Sequence, residues 1–192
     1  MDAESKKIGI LGGSFNPIHK EHVRLIEDTL KNGLVDEIWA LPCGNHAFGK
    51  DLVDGPTRVE MIKRSIEHIP NTKIEEIELQ SEEKSYMIDT IKKLKEIHPH
   101  KFFLIVGSDI PSQISRWNKY EELINEIEFI VFKRPGYPIT NEFGMKIAGT
   151  ITSNPDSTSS TEIRERIKNG KTFKEFLPSN IVELIKQKGL YK

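Results

Sequence analysis

Residues 7–22 read KIGILGGSFNPIHKEH, and this stretch decides the fold. A short apolar run, Lys7 to Leu11, closes on Gly12 and Gly13, as a buried strand does when it reaches a tight turn. Val23, Ile26, Leu30 and Leu34 then recur at helical spacing, which predicts a helix over about His19 to Asn32 that stops near Gly33. The two glycines remove side chains where the backbone leaves the strand. Exposed amides and a helix N-terminus therefore face one crevice, a ready site for an anion.

The alternation continues outward from this unit. Strands are predicted at Glu37 to Leu41, Lys73 to Leu79, Phe102 to Val106, Glu128 to Phe132 and Ile147 to Ile151, with FFLIV at 102–106 the most hydrophobic run and so a central strand. Helices are predicted from Pro56, with Val59, Ile62, Ile66 and Ile69 on one face, and over Ile88, Ile91, Leu94 and Ile97. Further helices are predicted near Tyr120 to Asn125, Ser160 to Lys168 and Pro178 to Lys188, while Cys43 to Gly55 lacks periodicity and reads as a loop. Strands that are continuously apolar and alternate with helices imply an α/β fold, a parallel sheet with helices on both faces. Ligands of such sheets sit beyond the C-terminal ends of the strands, where strand order reverses.

The 192 residues suit one domain, 1–192, with a small helical part from about residue 159. The 28 basic and 29 acidic residues give a formal net charge of −1, which supplies no global field for nucleic acid. A lone cysteine, Cys43, excludes an internal disulfide framework and a cysteine-only zinc site. No apolar run approaches the roughly 18 residues of a membrane span, and the polar start MDAESKK with the short IGIL run does not make a secretory signal. The expectation is a cytoplasmic protein without membrane or nucleic-acid partners; assembly into a homo-oligomer is left open.

His19 and His22 stand three apart at the start of the first helix, so both rings project from one face, and imidazoles can donate to a phosphate. The spacing lacks the H-E-x-x-H pattern of a zinc site, and no metal-ligating residue is assigned. Residues 44–51, GNHAFGKD, approach the P-loop pattern, but Asp51 stands where a hydroxyl would hold magnesium. His46 and Lys50 stay candidates for phosphate from this loop. Ser159 and Glu162 form a capping box, and the hydroxyls around it, followed by Arg164, suit a polyphosphate at a helix N-terminus. Asp109 follows the central strand, Trp117 and Tyr120 could stack on a flat heterocycle, and Arg134 leaves the next strand before Pro135-Gly136 turns the chain.

Gly12-Gly13-Ser14-Phe15-Asn16-Pro17-Ile18-His19-x-x-His22, with Ser159-Ser160-Thr161-x-Ile163-Arg164, resembles the nucleotidyltransferases of the HxGH type, and within them the nicotinate/nicotinamide mononucleotide adenylyltransferases. Ser85-Tyr86-x-Ile88-Asp89-Thr90, Gly107-Ser108-Asp109, Trp117, Lys133-Arg134-Pro135-Gly136-Tyr137 and the ending from Pro178 to Tyr191 extend the likeness over nearly the whole chain. The resemblance implies a Rossmann-like fold and transfer of an adenylyl group from ATP, with Mg2+ carried on its phosphates, to the mononucleotide. It implies that His19, His22 and Arg164 are catalytic. It implies ATP contacts from Gly12, Gly13, Ser14, Phe15, Gly107, Asp109, Arg134, Ser160 and Thr161. Asn16, His46, Lys50, Tyr86, Met87 and Trp117 would serve the mononucleotide.

The chain departs from the family pattern at several positions. Glu21 stands where the motif has glycine, Asn16 where aspartate is commoner, and Met87 where nicotinate-preferring members often carry threonine. The overall match favours nicotinate over nicotinamide mononucleotide. The alternatives are nicotinamide mononucleotide as main substrate, a related adenylyl- or cytidylyltransferase such as the phosphopantetheine enzyme, and a non-catalytic nucleotide-binding domain.

Overall fold

The computed structural model describes residues 5–44, 52–81, 84–152 and 158–192. In chain order its elements are β1 (Lys7–Gly13), α1 (Lys20–Lys31), β2 (Glu37–Pro42), α2 (Gly55–Ile66), β3 (Thr72–Ile74), α3 (Met87–Ile97), β4 (Lys101–Gly107), α4 (Tyr120–Glu126), β5 (Glu128–Phe132), β6 (Ile147–Ile151), α5 (Ser160–Lys168) and α6 (Ser179–Lys188). The strands form one six-stranded sheet in the order β3-β2-β1-β4-β5-β6. Every pairing is parallel. The chain builds outward from β1 to β3, then returns to lay β4 against the other side of β1, so the order reverses between β1 and β4.

Successive strand residues point to opposite faces, and each face meets its own helices. Ile38, Ala40, Phe103 and Ile105 pack with Leu25 and Ile26 of α1, Met61 and Ile62 of α2, Ile163 of α5 and Ile181 and Ile185 of α6. Trp39, Leu41, Phe102, Leu104 and Val106 pack with Ile88, Ile91 and Leu94 of α3 and Leu123 of α4. Burial on both faces explains why these strands read as continuous apolar runs.

Three sequence expectations are corrected. The strand expected over Lys73 to Leu79 ends at Ile74. The Glu75 amide still bonds the Ala40 carbonyl at 2.9 Å, but the Glu75 carboxylate then accepts from the Ile77 amide at 3.2 Å. The chain winds from there into a 3₁₀ turn, Ile77–Gln80, that buries Glu78. Ile97 is 61% exposed, although it follows Ile88, Ile91 and Leu94 at helical spacing, because it ends α3 beyond the sheet. In α2, Ile62 and Ile66 are buried as expected, as is Ile69 after it, but Val59 is only half-buried; Arg58, Met61 and Ser65 share the buried side, and the helix opens at Gly55 with Asp54 capping the Thr57 amide.

Candidate active site

β1 and β4 end side by side in Gly12-Gly13 and Gly107, and the loops that follow them meet. A Cβ on Gly107 would collide with the Asp109 carboxylate and lie 2.8 Å from the Arg134 Nε, so glycine is required for these two side chains to approach. Asp109 and Arg134 form an ion pair across this gap, 3.3 Å from Nη1 to Oδ2. The Ser108 hydroxyl accepts from the Arg134 amide at 2.9 Å and donates to the Tyr137 carbonyl at 2.8 Å, fixing the turn that carries the guanidinium.

The loop after β1 is held from several sides. Phe15 takes a left-handed backbone conformation, φ 45°, and its buried ring meets His22 at 5.1 Å between centroids. Arg164 of α5 donates to the Asn16 carbonyl at 2.8 Å, and Ser160 Oγ donates to the Pro17 carbonyl at 2.9 Å. The helix bearing Ser160, Thr161 and Arg164 is therefore fastened to the loop that leads into His19 and His22. Ser159 caps the Glu162 amide at 3.1 Å as the sequence implied. The Glu162 carboxylate bonds Arg166 at 3.0 Å. Ser160 and Thr161 begin α5, where amides have no partner in the helical ladder.

His19 is the N-cap of α1 and is 6% exposed. Its ring lies 3.8 Å from that of His22, centroid to centroid. The His19 amide donates to His22 Nδ1 at 3.3 Å, which leaves the His22 proton on Nε2. Among the described residues, no hydrogen bond reaches the buried His19 Nδ1. Burial and then the Arg134 charge lower the His19 pKa to about 4. Burial, His19 and Arg134 hold His22 well below its ordinary value. Both rings are therefore neutral at pH 7, each with one N–H to donate to an anion.

This has a consequence for stability. Between pH 6.5, the ordinary histidine value, and about 4, an unfolded chain binds a proton at His19 that the folded chain refuses. Unfolding free energy must then rise with pH through that window and fall as the solution is acidified, by about 3 kcal/mol for this group. In urea unfolding of the ligand-free protein at pH 7.5 and 4.5, His19→Asn is expected to lose distinctly less stability than the parent. Parallel losses in the two proteins would refute it.

The other residues expected at the site fall as follows. Met87 overlies Gly12, its Cε 2.9 Å from where a Cβ would stand; Tyr86 is the residue before α3 and makes no side-chain bond into it, and Tyr86, Met87 and Trp117 are each half-buried against the core on the α3 face. Asn16, expected to touch the mononucleotide, is 1% exposed. Its Oδ1 accepts from Tyr191 Oη at 2.8 Å and from the Val53 amide at 3.4 Å, so it positions the loop. His46 and Lys50 lie outside the described residues.

Sequence reasoning missed Arg58, Tyr191 and Glu78. Arg58 is 3% exposed and donates to the Ser14 carbonyl at 3.0 Å and the Val53 carbonyl at 2.9 Å. Its one signal is register, three and four residues before Met61 and Ile62 on the buried face of α2. Among the described residues no group of three or more His, Cys, Asp or Glu is assembled to hold a metal ion. No helix among them is long and apolar enough to cross a membrane.

The sequence model of the cytidylyltransferase-like family matches residues 10–166. The chain is 36% identical over 191 residues to the nicotinate-nucleotide adenylyltransferase of Bacillus subtilis, covering 97% of this chain and 99% of that one. It is 36% identical to a probable nicotinate-nucleotide adenylyltransferase of Halalkalibacterium halodurans, covering 97% and 92%. Among solved structures, nicotinic acid mononucleotide adenylyltransferase of Plasmodium falciparum, complexed with NaAD, superposes with a TM-score of 0.83 at 25% identity over 97% of each chain.

Proposed function

The chain belongs to the cytidylyltransferase-like family, among its nicotinate-nucleotide adenylyltransferases, and from that premise we propose how its residues join ATP and nicotinate mononucleotide into the dinucleotide of NAD biosynthesis. The observation that carries the proposal is the fastening of α5 to the histidine loop, through Arg164 to Asn16 and Ser160 to Pro17. It gathers neutral imidazoles, helix N-terminal amides and a guanidinium at one end of the sheet.

The mononucleotide phosphate attacks the α-phosphorus of ATP. A P–O bond forms there, the bond to the β-phosphate oxygen breaks, and that electron pair leaves with pyrophosphate. The nucleophile is anionic at neutral pH, so no base is needed, and catalysis rests on positioning and charge stabilisation. His22 presents its Nε2 proton, His19 adds the second imidazole, and Arg134 adds positive charge beside them. Arg164 and the start of α5 receive the β- and γ-phosphates. Tyr86, Met87 and Trp117 form the acceptor side. Mg2+ enters as part of the ATP substrate, since triphosphate oxygens and water suit it and the carboxylate at hand, Asp109, is paired with Arg134. A cytoplasmic setting, where ATP is at hand, completes the proposal.

Pyrophosphate release is the test, with ATP or CTP against nicotinate mononucleotide, nicotinamide mononucleotide and phosphopantetheine. The expected result is turnover with ATP and nicotinate mononucleotide at the highest kcat/KM. Preference for phosphopantetheine or CTP would overturn it, as would tight ATP binding without turnover.

A further inference from the structure

Glu78 lies outside the machinery just described, yet it is 7% exposed and carries an ionisable group. A buried carboxylate is costly unless its oxygens are well bonded. Three separate segments supply those bonds. The Thr90 hydroxyl of α3 donates to Oε1 at 2.7 Å, and the Gly44 amide and the Ser85 hydroxyl donate to the same carboxylate. Burial raises the carboxyl's pKa and these three donors pull it back down.

The donors are not scattered. Gly44 is where the chain leaves β2, Ser85 immediately precedes Tyr86 and Met87, and Thr90 lies one turn into α3. Packing confirms how tightly these segments are drawn together. A Cβ on Gly44 would collide with the Glu78 backbone carbonyl and stand 3.0 Å from Ser85 Oγ. From Tyr86 the chain runs directly into Met87, whose Cε overlies Gly12 at the phosphate end of the site.

We infer that Glu78 is a positioning residue for the acceptor: its carboxylate ties the exit of β2 to the Ser85–Met87 segment and so sets the width of the mononucleotide pocket, without bonding the histidines, Arg134 or α5. The inference rests on the functional reading above. The groups assigned to ATP, namely the His19–His22 pair, Arg134 and α5, are held by other contacts and do not bond Glu78. Loss of the tie must therefore separate the two substrates kinetically.

The experiment uses the full chain with Glu78→Gln, which keeps side-chain volume but leaves one acceptor oxygen where three donors converge, and Ser85→Ala, which removes one arm. For Glu78→Gln the KM for nicotinate mononucleotide is expected to rise about tenfold, the scale of one badly satisfied buried hydrogen bond, with the KM for ATP within twofold. For Ser85→Ala the same KM is expected to rise about threefold, and this variant carries the test if Glu78→Gln does not fold. Equal rises in both KM values, or an unchanged mononucleotide KM in a folded variant, overturn the inference. If the parent itself does not turn over nicotinate mononucleotide, the functional reading fails instead, so the two failures are distinguishable.

Discussion

Replacing His19 by alanine is expected to lower kcat for adenylyl transfer by roughly 10²–10³, the range for losing one preorganised donor to a developing anion. The reason is local. The ring is almost wholly buried, neutral, and 3.8 Å from the His22 ring between centroids, so nothing mobile can replace it, water included. Among the described residues no hydrogen bond reaches its Nδ1, a cost accepted where a substrate is to supply one. Steady-state kinetics at pH 7.5, beside urea unfolding of the same preparation, check it. Turnover within threefold of the parent in a folded variant would remove His19 from the chemistry.

Arg58→Met is expected to cost about 3 kcal/mol of unfolding free energy, since two part-buried carbonyls lose the donor they share, each at about 1–3 kcal/mol. Methionine fills much of the same length but cannot bond the Ser14 and Val53 carbonyls. Arg64→Met, one helical turn and a half further along α2 and half-exposed in an i,i+4 pair with Glu60, is expected to cost no more than about 0.5 kcal/mol. Urea unfolding of the three proteins decides. A loss under about 1 kcal/mol for Arg58→Met would show that the loop finds its hydrogen bonds elsewhere.

The sheet was legible because its strands are covered on both faces. FFLIV at 102–106 has only one comfortable place, and the Gly12-Gly13 pair marks where the first strand must stop. The edge was less legible: Lys73 to Leu79 has apolar residues at 74, 77 and 79, a spacing that fits neither period cleanly, and a side-chain bond from Glu75 decides its path. The histidine pair was visible as candidate chemistry because that residue type is uncommon at a helix start, and the α5 cap because it carries more hydroxyls than one cap needs and Arg164 follows them. Arg58, Glu78 and Tyr191 were not. A buried charge looks like a solvated one in sequence, and only the partners that the fold brings from distant segments, such as Ser14 for Arg58 or Thr90 for Glu78, distinguish them. Asn16 erred the other way: a polar residue in a ligand loop turned inward to Tyr191 and Val53.

The bonds that close the histidine loop span long stretches of chain: 143 residues from Ser160 to Pro17, 148 from Arg164 to Asn16 and 175 from Tyr191 to Asn16. During synthesis, β1 to β4 can pair while the later helices are still within the ribosome, because their contacts are already available. The loop after β1 cannot close fully until the last of these partners emerges. A nascent chain thus acquires its scaffold early and its finished loop late, and a molecule halted short of Arg164 would carry both histidines with their loop tied, among the described residues, only from the α2 side, by Arg58 and Val53.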